Sequence, residues 1–265
     1  MLIMDSFIYG IITWYVEAVF PGDNGIPHKP WFFLQHSYWF GTKTGKGILD
    51  QDEEQGDPQN YAHPDHFEAD PQGRAGIQLN QLTKVFHGVG GRKVAVDHLS
   101  LNVYEGQITV LLGHNGAGKT TTMSILVGLF PPSSGSAAIN GYNVMTETDG
   151  ARASLGLCPQ FDVLFDSLTV EEHLYFFATL KGLSGTDLKK DVDTFVNDLD
   201  LIPKRQAQAQ TLSGGQKRAL SVAIALVGGS KVVILDEPTS GMDPYKRRHT
   251  WSVFLVHKDG FMVNE

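Results

Sequence analysis

The stretch "LLGHNGAGKTTTM", residues 111–123, decides the fold. An apolar run reaches Gly113, a glycine-rich turn follows, and Lys119 with three threonines opens a predicted helix. Gly113-His114-Asn115-Gly116-Ala117-Gly118-Lys119-Thr120 fits the G-x-x-x-x-G-K-[ST] pattern, with a strand before it and a helix after it. Gly113, Gly116 and Gly118 let the backbone curl so that its N–H groups converge on phosphate oxygens. The helix N-terminus adds the positive end of its dipole. Lys119 is placed to reach the β and γ phosphates, and the Thr120 hydroxyl to ligate Mg²⁺.

Downstream, "KVVILDEP" (231–238) reads as a short buried strand ending in two acids. Asp236 at the sheet edge is suited to holding Mg²⁺, directly or through water. Side chains alternate along a strand, so Glu237 is expected to point elsewhere, where a carboxylate can polarise an attacking water. Between the two lies "TLSGGQKRALSV" (211–222), in which Ser213 has the character of an N-cap and Gly214 and Gly215 expose backbone N–H groups. That makes a second anion-binding helix terminus in one chain. Two such domains meeting head to tail would each offer this terminus to the nucleotide held by the other's phosphate loop.

The rest of the chain fits an α/β reading. "GIQLNQLTKVF" (76–86) alternates like a half-buried strand, "VAVDHLSLNVYEG" (94–106) gives another, and "QITVLLG" (107–113) is expected to be buried on both faces. Helices are predicted over 119–129, 170–183 and 187–200, and one after Ser213 closes at Gly228-Gly229. Strands alternating with helices indicate a parallel sheet.

Composition bounds the function. Among 265 residues, 42% are hydrophobic and 19% charged, as in a globular chain able to bury a core. The net charge of −8 argues against a nucleic-acid partner. A lone cysteine, Cys158, excludes an internal disulfide and a zinc site built from cysteine pairs. Residues 1–20 carry only two charges, Asp5 and Glu17, and end at Pro21-Gly22; they read as the end of a transmembrane helix, a buried helix being the alternative. Trp31, Phe32, Phe33, Tyr38, Trp39 and Phe40 suit a membrane–water interface or a small aromatic core. Residues 41–75 read as a linker, with acids Asp50, Asp52, Glu53 and Glu54, and with His63 and His66 too poorly framed for a metal site.

The order of "GHNGAGKTT", "LSGGQ" and "VILDEP" resembles the nucleotide-binding domain of an ATP-binding cassette (ABC) transporter. "CPQFDVLFDSLTVEEHL" and "GGSKVVILDEPTSGMDP" are similar to subfamily A, large single chains that move phospholipids and sterols. The resemblance implies a P-loop NTPase fold with a parallel core sheet, an antiparallel β subdomain and a helical subdomain. It implies ATP and Mg²⁺ as cofactors, with His114, Asn115, Ala117 and Thr121 in the phosphate loop and Phe86 stacked on adenine. Gln160 matches the loop glutamine that senses Mg²⁺ and the γ-phosphate while touching the membrane domain, and Glu237 the catalytic carboxylate. Ser213, Gly214, Gly215, Gln216 and Asp243 match the elements that meet a second cassette's nucleotide. The implied partners are that second cassette, the transmembrane domains of one multi-pass transporter and a lipid, with the cassette on the cytoplasmic side.

The expected division is therefore 1–20 membrane helix end, 21–75 aromatic segment and linker, and 76–265 cassette. The pattern departs from the family after "RRHTW": His257, followed by Lys-Asp-Gly, does not match the family's phosphate-contacting histidine. The expectation is a cassette incomplete at its C-terminus that binds MgATP and by itself hydrolyses it slowly or not at all. Two other readings stay open, a short regulatory ATP-binding chain and a soluble non-transport ATPase with the same cassette.

Overall fold

The computed structural model describes residues 2–20, 30–34, 73–88, 91–257 and 261–264. Tyr38, Trp39 and Phe40, the acidic linker, His63 and His66 lie outside the described residues. Two four-stranded sheets organise the chain. The first is antiparallel, in the order β2 (Gly91–Tyr104), β1 (Ala75–Gly88), β4 (Ser134–Ile139), β5 (Tyr142–Asn143). The second is parallel, in the order β3 (Ile108–Leu111), β8 (Phe261–Asn264), β7 (Val232–Asp236), β6 (Leu155–Cys158).

Strand β7 is buried at all five positions, which is why "VVIL" has no polar alternation. Strand β3 departs from its expected full burial: Val110 is 41% exposed. Among the described residues it is an edge strand that pairs with β8 alone, so only part of its surface is covered. Long β1 and β2 pair along most of their length, with register shifts where Gln81 (φ 47°) and His98 (φ 44°) enter the left-handed region.

Helices α1 (Leu2–Val19), α2 (Lys119–Leu126), α3 (Thr148–Ser154), α4 (Val170–Leu180), α5 (Gly185–Asp198), α6 (Gly214–Leu226) and α7 (Pro244–Val256), with short 3-10 turns at Phe32–Leu34, Ile202–Lys204 and Ala209–Thr211, complete the described elements. Helix α6 is buried continuously from Arg218 to Leu226, as a helix apolar on nearly every face must be. Leu220, Val222 and Ala223 pack there with Leu174, Val192, Val233 and Leu235 in one core. A second core lies between the sheets, where Ile77, Leu79 and Ile139 meet Ile125, Ile234 and Met262. Gly156 allows the close approach of β6 to α6, because a Cβ there would stand 2.0 Å from the Ala225 carbonyl oxygen.

Near the N-terminus, Phe32 is buried against Trp14 (ring centroids 5.0 Å apart) and Tyr15, whose hydroxyl donates to the Pro30 carbonyl at 3.1 Å. Trp31, Phe33 and Leu34 remain exposed beside this small aromatic cluster. Among the described residues, no helix is long and apolar enough to cross a membrane.

Candidate nucleotide-binding site

Strands β3, β6 and β7 run parallel, so their C-terminal ends and following loops come to one edge of the sheet, where α/β proteins place their ligands. The loop after β3 contributes residues 112–118, that after β6 contributes Gln160, and that after β7 contributes Glu237. A cleft of about 350 Å³ forms there, lined by His114–Thr121, Gln160, Asp236 and Glu237, with Phe86, Lys93 and Ala95 from the antiparallel sheet.

The phosphate loop is built as its glycines require. Gly116 (φ 86°) and Gly118 (φ 91°) both occupy left-handed backbone. A Cβ on Gly118 would lie 2.2 Å from the Ala95 carbonyl oxygen, so the loop seats against β2 only with glycine there. Gly118 is also the N-cap of α2 and supplies no side-chain cap, whereas Thr169 and Ser213 close α4 and α6 with reciprocal capping boxes. The first turn of α2 thus keeps backbone donors directed at whatever fills the cleft. Lys119 Nζ donates to the Gly113 carbonyl at 2.5 Å, bridging the two ends of the loop.

Opposite stand the acids. Asp236 is 8% exposed at the end of β7. Glu237 follows β7 with a left-handed backbone (φ 46°) and lines the cleft beside Asp236. Non-glycine residues adopt that region at a cost of about 1–3 kcal/mol, which concentrates at functional positions. Gln160 Nε2 approaches Glu237 Oε1 at 3.5 Å. The Thr120 hydroxyl, the Asp236 carboxylate and the Gln160 amide oxygen form a hard oxygen donor set of the kind Mg²⁺ selects, and the donor-lined loop opposite suits its phosphates.

Phe86 packs edge to face on Phe130 with centroids 5.6 Å apart, and Lys84 Nζ sits over both rings. Phe86 itself is 41% exposed at the cleft wall.

Ser213, Gly214, Gly215, Gln216 and Asp243 do not line this cleft. They gather on another face: the Cβ position of Gly215 is 3.7 Å from the Gly241 carbonyl oxygen, and Asp243 accepts from Lys246 N–H as the N-cap of α7. The Gln216 side chain accepts from Ser213 N–H at 2.9 Å. His257 pairs with Asp198 Oδ2 at 2.8 Å and packs on Phe195, away from the cleft.

Sequence reasoning missed Lys93, Ala95 and Arg218. Lys93 and Ala95 share one face of β2, two residues apart, and the pairing of Lys93 with Phe86 across β1 and β2, which brings them to the cleft, has no signal in the sequence. Arg218, 3% exposed within an apolar helix, stands out in the sequence only as a charge in an apolar run. Cys158 is enclosed beside it, and burial pushes its thiol up to about 12, so it stays protonated and inert.

Residues 96–240 match the ABC transporter family. The chain is 53% identical over 259 residues to the phospholipid-transporting ATPase ABCA3 of Rattus norvegicus, covering 97% of this chain and 15% of that protein. It is 46% identical over 272 residues to the retinal-specific phospholipid-transporting ATPase ABCA4 of Homo sapiens, covering 98% of this chain and 12% of that one. The chain thus spans only a small part of these relatives. Among solved structures, an ATP binding subunit of an ABC transporter superposes with TM-score 0.66 at 25% identity, over 71% of this chain and 78% of that one. A dimeric bacterial ABC transporter cassette superposes with TM-score 0.64 at 22% identity, over 71% and 87%, which shows a shared fold. With its phosphate loop, acid-tipped strand and Ser-Gly-Gly helix terminus in the order the family carries them, the chain belongs to the ABC transporter family.

Proposed function

We propose that this chain is a cassette that binds MgATP, hydrolyses it as half of a head-to-tail pair, and couples that cycle to lipid movement by a membrane transporter. One observation carries the reading: the uncapped α2 terminus with Lys119 faces Asp236, Glu237 and Gln160 across a single cleft.

In this assignment the amides of residues 113–119 and the Lys119 ammonium hold the β and γ phosphates. Thr120, Asp236 and Gln160 hold Mg²⁺, which supplies charge neutralisation at the phosphates when bound. Phe86 stacks on the adenine. Glu237 orients and polarises the water that attacks the γ-phosphorus. Ser213, Gly214, Gly215, Gln216 and Asp243 face the nucleotide of a second cassette. Their separation from the chain's own cleft supports that division, as does the similar fold of a cassette solved as a dimer with ADP and phosphate.

Phospholipid as cargo rests on the names of the subfamily A relatives. Exposed Phe161, Val163 and Phe165, directly after Gln160, offer an apolar face for the membrane part of the transporter. Helix α1 and the aromatic residues 31–33 belong to that membrane part, with the cassette on its cytoplasmic side.

Titration of the chain with a fluorescent ATP analogue tests the reading. Saturable binding that is lost in Lys119→Ala is the expected result; equal binding by both proteins overturns it.

A further inference from the structure

A buried guanidinium is tolerated only when its donors are satisfied, and Arg218 meets that condition in an unusual way. Its Nε donates to the Pro238 carbonyl at 3.2 Å. One terminal nitrogen donates to the Pro159 carbonyl at 2.6 Å and to Asp162 Oδ1 at 3.1 Å. The other donates to the carbonyls of Asp236 and Glu237, the latter at 2.9 Å. Each partner lies at the end of β7 or in one of the two loops that form the acidic wall of the cleft. Asp162 is itself fixed by the Ser221 hydroxyl at 2.9 Å, one turn further along the same helix.

We propose that Arg218 is a positioning residue: it clamps the Gln160 loop to the end of β7, and so sets where Gln160, Asp236 and Glu237 stand relative to a bound metal–nucleotide complex. This rests on the MgATP reading above. The planar fork matters, because three carbonyls of consecutive residues 236–238 and one of residue 159 must be met in fixed directions. The left-handed backbone of Glu237 is one such direction; without the donor on its carbonyl, that strained conformation loses a support. The phosphate loop lies on the opposite wall and has no bond to Arg218 among those described.

That geometry separates two binding terms. Phosphate-loop contacts set affinity for ATP without metal, and the clamped wall sets the gain in affinity when Mg²⁺ is added. The experiment measures ATP-analogue affinity in Mg²⁺ and in EDTA for the 265-residue chain, Lys119→Ala, Arg218→Met and Arg218→Lys. Circular dichroism melts confirm folding. In Arg218→Met the Mg²⁺-dependent gain falls by about 10- to 100-fold, the range typical when residues orienting metal ligands are removed. Its affinity in EDTA stays at the parent value. Arg218→Lys, with charge but no fork, fails to restore the gain, and it carries the comparison alone where the methionine variant does not fold. A mere loss of stability would lower both affinities together.

An unchanged Mg²⁺ gain in a folded Arg218 variant overturns the clamp and leaves the MgATP reading intact. Binding by the parent chain that is no better than by Lys119→Ala overturns that reading, and the clamp with it.

Discussion

The side-chain amide of Gln160 reaches the Glu237 carboxylate at 3.5 Å, although 77 residues separate them in the chain. The contact is at the limit of a hydrogen bond, so it orients the pair and contributes little stability. Its value is that the amide and the carboxylate share one cleft with Lys119.

Glu237→Gln keeps the shape and the left-handed backbone demand of that position but removes the base. ATP-analogue affinity is expected to stay at the parent value, while phosphate release falls by about 10²–10⁴-fold, the usual contribution of a positioned base. Phosphate release measured with paired chains checks this, and a variant as fast as the parent refutes the role of Glu237.

Two glycines of the phosphate loop separate backbone strain from close packing. Gly116→Ala places a Cβ in open space, so its cost is the left-handed conformation alone, about 1–2 kcal/mol. Gly118→Ala bears the same strain and also drives a Cβ to 2.2 Å from the Ala95 carbonyl oxygen, adding about 1–3 kcal/mol of overpacking. Chemical denaturation is expected to rank Gly118→Ala below Gly116→Ala, with ATP affinity following the same order.

Ser213 has one local task and one proposed distant task. As the N-cap of α6 it exchanges hydrogen bonds with Gln216, so Ser213→Ala costs about 1 kcal/mol of stability. ATP binding to the single chain is expected to be unaffected, while ATP-induced pairing seen by light scattering is weakened beyond that loss. Pairing as strong as in the parent would confine Ser213 to capping.

Lys181 gives a pH signature. Its Nζ donates to the Val227 carbonyl at 2.7 Å and to Ser230 Oγ at 2.6 Å at the C-terminal end of α6. Burial lowers its pKa from 10.5 to about 8, partly opposed by Asp191. Between those values the unfolded chain holds the proton more firmly than the folded one, so this lysine makes stability rise with pH. Relative to Lys181→Met, the parent is expected to gain stability between pH 8 and 10.5, on the order of 3 kcal/mol over the whole span. Urea midpoints of both proteins at pH 7.5 and about pH 10 read the difference; a constant gap means that the lysine is not desolvated.

Local covalent order is enough to encode the phosphate grip. A loop with glycine at 113, 116 and 118 followed by lysine specifies a phosphate grip, because its backbone conformations and helix start lie within a few consecutive residues. The same holds for the Ser213 cap, two residues before Gly215, and for β7, whose unbroken apolar run ends at Asp236. Long-range packing supplied what crosses between elements. It seated β8, which no periodicity announced, between β3 and β7, and it left β3 half-exposed at the edge. It gave Glu237 its left-handed backbone after the end of β7, added Lys93 from a second sheet, and aimed Arg218 at two segments remote in sequence. Strand order and the direction of a buried fork are set by packing over long separations, and a pattern of neighbouring residues carries no term for them.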